Sequence, residues 1–280
     1  MHVAMFLTTL LDYAVQRGLT FSVIKSASAA IFQAHRLAGF KNDVTAHPFV
    51  CAIRDTAKRA LGVGARRRKQ PLDLNICVQC VTRLLQRNFS AAHLQIAAFI
   101  MVCFAGFLRY SDAVEIYADQ VRFFPDRMEI FIGKRKNLQF RQGSLLTIAR
   151  GTSVACPVSL CWELLHGTGS VGRRVPLFRQ LTSRQGSYRL AKGHMAWSYN
   201  QARRVVLTEL AATVGLTFGE FILSFGLHSF RSGGLSEGLR LGVAPHVLQL
   251  HGGWLDHRSM TVYYQRTRQA CMAATVRMDY

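Results

Sequence analysis

The apolar positions of this chain follow two different periods. Near the N-terminus Phe6, Leu7, Leu10, Leu11 and Val15 recur at helical spacing and Gly18 closes the segment, which predicts an amphipathic helix. Helices are also predicted over 21–37 and 50–61 and, past a break, near Asp73–Gln86 and Ser90–Leu108. The uncharged stretch Leu94–Leu108 is 15 residues long and contains Gln95. It is short of the ~20 residues that cross a bilayer, so it predicts a buried core helix and no membrane partner.

The period then shortens. Residues 120–124, a turn at Pro125-Asp126 and residues 127–132 read as a β-hairpin, with a third strand over Leu145–Ala149. From Pro157 the helical period returns, near Val158–Leu165, Ser198–Val214, His228–Leu241 and Pro245–Leu250. The fold class predicted is mainly α with one small antiparallel β-sheet.

One segment belongs to neither period. Gly62-Val63-Gly64-Ala65-Arg66-Arg67-Arg68-Lys69-Gln70-Pro71 combines glycines, four consecutive cations and a proline, which is linker composition. It predicts an N-terminal helical domain over 1–65, a basic linker over 66–71 and a larger domain over 72–280. The first part is small for a complete helical domain, which leaves room for a further helix upstream of Met1.

Charge adds the partner. Of 280 residues, 35 are Lys or Arg and 15 are Asp or Glu, a net charge of +20 at pH 7. Residues 1–70 carry 11 cations and 3 acids, and residues 71–280 carry 24 and 12, so both halves are basic. A polyanion gripped by both parts is the leading expectation. Seven cysteines, an odd and sparse set, argue against a disulfide framework and for a reducing compartment. The N-terminus has neither a basic n-region nor a small-residue cleavage site, so secretion is not expected.

Most familiar chemistries are missing. There is no phosphate-cradling glycine motif, and the acids are too scattered for a two-metal nuclease. Cys77-Val78-Gln79-Cys80 lacks a matched second pair, so a packed helix face is preferred over zinc and no metal or cofactor is expected.

What stands out is an ordered set. Gly106-Phe107-Leu108-Arg109-Tyr110-Ser111-Asp112 puts an arginine at the end of the apolar helix. The hairpin is followed by Gly133-Lys134-Arg135-Lys136. Then come His228-Ser229-Phe230-Arg231, Gly252-Gly253-Trp254, and Tyr263 nine positions after the tryptophan. An H-x-x-R alone is common by chance; the series in order is not. It resembles the tyrosine recombinase/integrase superfamily (phage integrases, Xer and Cre recombinases, and the recombinases of DIRS-type and Crypton mobile elements) over most of residues 71–280. Residues 1–70 look like the family's small helical core-binding domain, with weaker motifs.

The resemblance implies a DNA breaking-rejoining catalytic fold and six catalytic positions: Arg109, Lys136, His228, Arg231, Trp254 and Tyr263. Trp254 stands where many members have histidine; an indole N–H donates a hydrogen bond but shuttles no proton. Asp112 would orient Arg109. Tyr264 adjoins Tyr263, but neighbouring helical residues point about 100° apart, so one of the two meets the arginines. Arg66, Arg67, Arg68, Lys69, Lys134 and Arg135 would follow DNA phosphates, while His251 and His257 read as structural or backbone-contacting.

These residue types suit phosphodiester cleavage without metal. Two guanidinium forks match the non-bridging oxygens of a pentavalent phosphorus. Tyr263 would form a covalent phosphotyrosine, His228 would take its proton, and Lys136 would supply the leaving 5′-oxygen with one. The implied partner is double-stranded DNA, in a homotetramer on paired sites. The implied location is the nucleus in a eukaryotic host, with the basic run as import signal, and otherwise the nucleoid. A type IB topoisomerase and a catalytically inactive, domesticated DNA-binding protein are the alternatives.

Overall fold

The computed structural model describes residues 2–62, 69–86, 90–133, 143–184, 187–191 and 195–261. They form two compact units, divided between Arg68 and Lys69.

The first unit holds three helices, α1 (His2–Gln16), α2 (Ser22–Leu37) and α3 (Pro48–Ala60). Gly18, at φ +61°, ends α1 in the left-handed region that glycine adopts without strain. Asp43 accepts the Thr45 backbone N–H at 2.8 Å and so caps a short 3₁₀ turn ahead of α3. Pro48, whose fixed φ suits a first helical position, opens α3. Leu7, Leu11, Ile24, Val50 and Ala57 make a small core. Of the five apolar positions that predict α1, Leu7 and Leu11 are buried, whereas Phe6 and Val15 are exposed.

The second unit is built around one helix. α4 (Leu74–Gln86) leads to α5 (Ala91–Ala105), in which every residue from Leu94 to Phe104 is buried. A helix apolar on all sides must be enclosed on all sides. α5 is packed by α4, by α7 (Pro157–Gly167) and by α10 (Ser229–Arg240). Gln95, within it, is satisfied by the backbone of Arg179, accepting from the N–H and donating to the carbonyl at 2.8 Å each. Among the described residues no single helix is long and apolar enough to cross a membrane.

After the short α6 (Tyr110–Ala113) come β1 (Val121–Phe123), β2 (Arg127–Ile132) and β3 (Ser144–Ala149), an antiparallel sheet in that order. Met128 pairs with Ile148 and Ile130 with Leu146, so the buried face is the alternating one that the sequence predicts. Several elements besides α6 were not expected. A second hairpin joins β4 (Leu181–Arg184) to β5 (Ser187–Leu190), so the described residues hold two small sheets rather than one. After α8 (Tyr199–Thr213), α9 (Phe218–Ser224) starts from a reciprocal cap, in which Thr217 Oγ1 accepts from the Glu220 N–H and Glu220 accepts from the Thr217 N–H. α11 (Pro245–Gly252) is followed by the five-residue α12 (His257–Thr261).

The last residues of the expected linker already belong to this unit. The Gln70 N–H donates to Ser224 O at 2.7 Å, and that of Leu72 to Ser229 O at 3.0 Å. Leu72 is buried, and its backbone lies so close to α10 that a side chain at Gly233 would overlap it. Gly234, one residue on, lies against the Phe104 carbonyl and the Phe107 ring, so this glycine pair lets α10 approach α5.

Candidate active site

The site begins where α5 stops. Gly106 and Leu108 return their N–H groups to Val102 O and Cys103 O at 2.9 and 3.0 Å, satisfying two carbonyls at the helix end. Between them Phe107 has φ +49°. A bulky side chain in the left-handed region costs about 1–3 kcal/mol, and its buried ring contributes to offsetting that cost. The reversal leaves Arg109 extended (φ −78°, ψ 156°) at the head of α6. There Asp112, 1% exposed, accepts the Arg109 backbone N–H at 3.3 Å and lies 3.7 Å from its guanidinium. Asp112 is thus beside Arg109, where the sequence reading puts it. The next residue, Tyr110, donates its hydroxyl to Trp197 O, and burial raises its phenol above the ordinary value.

The second arginine comes from α10. His228 is exposed immediately before the helix, and Arg231, one turn further, is 1% exposed. Its Nη1 donates to Phe107 O and its Nη2 to Gly252 O at 3.0 Å, while its guanidinium carbon lies 3.8 Å from the centre of the Trp254 ring. Gly252 and Gly253 each answer a separate demand. A Cβ at 252 would overlap the Trp254 ring, and Gly253 at φ +64° ends α11. His251 donates from Nε2 to Ala105 O at 2.7 Å and stands edge-on to the Phe107 ring at 4.8 Å, a structural role.

Three stretches distant in sequence therefore converge: 105–109, 228–231 and 251–254. Phe107, Leu235, Leu248, Trp254 and Met260 form the apolar cluster beneath them. His257 is exposed in α12. Lys134, Arg135, Lys136, Tyr263, Arg66, Arg67 and Arg68 lie outside the described residues. Lys69 is engaged within the fold, its ammonium donating to the carbonyls of Ile222 and Leu223 at the end of α9, the latter at 3.1 Å. Cations are favoured at a helix C-terminus, where carbonyls are left over.

Two contributors escaped the sequence reading, Gly233 and Gly234, while Phe107 and Gly252 stood in its motifs with no structural role assigned. The glycine pair two residues after Arg231 was the available signal, since paired glycines inside a helix imply a close backbone approach.

Elsewhere the chemistry is bland. A cavity of about 560 Å³ between α4, α5, β3 and the start of α7 is lined mainly by apolar groups such as Leu74, Met101 and Ile148, which is no setting for a phosphate. Cys77 and Cys80 are wholly buried and their thiols are pushed up, chiefly by that burial. Among the described residues no three His, Cys, Asp or Glu side chains cluster as a metal site.

No protein-family profile and no curated protein matches the chain. Solved structures do. The Tn1549 transposon integrase in complex with transposon right-end DNA superposes with a TM-score of 0.62 at 13% identity, covering 99% of this chain and 85% of that one. The XerH site-specific recombinase in its post-cleavage complex with palindromic difH superposes at 0.53 and 12%, covering 86% and 70%. XerA recombinase gives 0.53 and 11%, covering 99% and 83%. Identities this low speak to architecture alone. The chain, with its buried central helix, small antiparallel sheets and C-terminal helical half, shares the fold of these recombinase and integrase structures.

Proposed function

We propose that this protein is a site-specific DNA recombinase that cuts and rejoins strands through a 3′-phosphotyrosine. The observation that carries the reading is the fixed guanidinium of Arg231, held by the Phe107 and Gly252 carbonyls two residues from Arg109 on one side and Trp254 on the other. A buried cation is costly unless it is hydrogen-bonded or paired; the two carbonyls hold Arg231 rigidly, which suits it to electrostatic work at the site. Transition-state charge on two phosphoryl oxygens is such work, and a preorganised donor there contributes about 3–4 kcal/mol.

In the proposed reaction the Tyr263 phenol loses its proton to His228 and its oxygen attacks phosphorus. The bond to the 5′-oxygen breaks as the bond to tyrosine forms, and Lys136 protonates the departing oxygen. Rejoining reverses each transfer, so bond energy is conserved and no external energy source is needed. Arg109 and Arg231 hold the non-bridging oxygens, and Asp112 keeps Arg109 in place. Double-stranded DNA is the substrate: the net charge of +20 supports a polyanion, and solved structures sharing the fold are DNA complexes. Arg66–Arg68, Lys134 and Arg135 are proposed to follow phosphates, and four protomers to assemble on two duplexes.

The test is a nicked suicide duplex, which loses the 5′-hydroxyl fragment after cleavage and traps the covalent complex. Wild type should form a DNA adduct and Tyr263→Phe none. An adduct on Tyr263→Phe would remove that nucleophile. Binding with no adduct on wild type would instead leave a DNA-binding protein without cleavage. Binding itself should weaken steeply with salt as counterions are released.

A further inference from the structure

We infer that Trp254 serves as a positioning residue for Arg231, and that the face of its indole, rather than its ring N–H, is what strand cleavage requires. The inference rests on the recombinase reading and concerns how the clamp is held.

Six arginines among the described residues lie over aromatic rings, at 3.8 to 6.0 Å, and Arg231 over Trp254 is the closest. It also has both partners buried, Arg231 at 1% and Trp254 at 4% exposure. Away from water the attraction between a cation and the negative ring face is at its strongest, and tryptophan offers the strongest face. The two carbonyls fix the in-plane direction of the guanidinium, since each accepts from a different terminal nitrogen. The Trp254 ring lies over the guanidinium and restrains its tilt out of that plane.

The tryptophan is itself held by backbone. Trp254 returns its N–H to Gln249 O at 3.1 Å, Gly253 turns the chain, and the missing Cβ of Gly252 makes room for the ring. One tight turn therefore delivers both the Gly252 carbonyl in the plane of Arg231 and the ring across its face. The position of the ring is set by the chain's own backbone, which suits it to orienting the arginine.

Three variants separate face from N–H and from bulk. Trp254→Phe keeps an aromatic face without an N–H, Trp254→His keeps a ring N–H with a poorer face, and Trp254→Leu keeps apolar bulk with no face. Adduct formation on the suicide duplex should slow about threefold in Trp254→Phe, and by roughly 30-fold or more in Trp254→Leu and Trp254→His. A fast Trp254→His beside a slow Trp254→Phe would overturn the inference in favour of a hydrogen-bond donor. Equal rates for Trp254→Phe and Trp254→Leu would reduce the ring to packing and overturn it too.

A second measurement does not depend on cleavage. In a denaturation cycle of Arg231→Met with Trp254→Leu, the two changes should fail to add, with a coupling of roughly 30-fold in the unfolding equilibrium. Additive changes would overturn the inference. Absence of an adduct on wild type, with coupling intact, would overturn the recombinase reading and leave the stacked pair standing.

Discussion

Arg109 and Arg231 carry the same charge and are held in opposite ways. Arg231 sits inside the protein, with its guanidinium bonded to two main-chain carbonyls and lying against a ring. Arg109 stands at the edge of the same cluster, its side chain 18% exposed and 3.7 Å from one carboxylate. One arginine is part of the core; the other is attached to it. Arg231 therefore has a double duty, since it joins the end of α5 to the end of α11, while Arg109 is free to spend its donors on a substrate. The strained turn at Phe107 links the two, because its carbonyl takes Arg231 and its backbone aims Arg109.

The largest effect expected from this difference is on stability. Arg231→Met removes the donors of two buried carbonyls, each costing about 1–3 kcal/mol when orphaned. The loss should reach about 3 kcal/mol or more in urea unfolding, with cleavage abolished. Arg109→Met gives up one contact at 3.7 Å while Asp112 keeps the Arg109 N–H, so the loss should be about 1–2 kcal/mol, smaller than for Arg231→Met, yet it should abolish cleavage as completely. Equal stability losses for the two variants would erase the distinction between core and attached arginine.

Next in size is the approach of α10 to α5, which sets where Arg231 meets Phe107. Gly234→Ala places a methyl against the Phe104 carbonyl, which is backbone and cannot step aside. The helix must shift, at about 1–3 kcal/mol for overpacking, and cleavage should fall with it. Gly238→Ala on the same helix meets only the end of the Leu248 side chain, which can rotate. Thermal unfolding should rank Gly234→Ala well below Gly238→Ala. The reverse order would mean that helix spacing does not control the clamp.

How much of this was readable from the chain follows from what each feature depends on. The all-apolar run of α5 and the alternation of β2 and β3 are local patterns, and both appear where the sequence places them. The β4–β5 hairpin did not show because each strand is four residues long: β4 has one apolar position, Leu181, and the alternation of Tyr188 and Leu190 in β5 is too short to stand out. The order of the candidate residues was legible, but the burial of Arg231 was not. An arginine reads as a surface residue until the carbonyls that satisfy it are brought from 124 residues upstream and 21 downstream. Phe107 was illegible for a related reason: nothing in a phenylalanine announces a left-handed backbone, which is imposed by its surroundings.

A smaller effect isolates the Arg109 end. Asp112 is buried and accepts the Arg109 N–H, so Asp112→Asn keeps an acceptor oxygen and loses the charge that faces the guanidinium. Cleavage should fall about tenfold, the size of one charge-assisted contact, with a change in stability no larger than about 1 kcal/mol. Stability unchanged beside full cleavage would remove Asp112 as the orienting partner.

The smallest effect concerns α12, the short helix that precedes position 263. Asp256 accepts the Ser259 N–H at 2.6 Å and its hydroxyl at 2.9 Å, and these bonds to the charged form hold its carboxyl below the ordinary value of 3.8. A carboxyl depressed by folding stabilises the fold at pH above that ordinary value, and the contribution is lost as pH falls through the folded one. The cap is therefore complete at neutral pH and contributes nothing to any pH dependence of cleavage between 5 and 8; a profile there reports other groups. The Ser259 amide resonance should follow the Asp256 titration with a midpoint below 3.8, and a midpoint at or above it would show that the cap does not form in solution. Asp256→Asn, which caps about as well, should leave adduct yield nearly intact at neutral pH, whereas Asp256→Ala should lower it several-fold by fraying α12, which precedes the proposed nucleophile in the sequence.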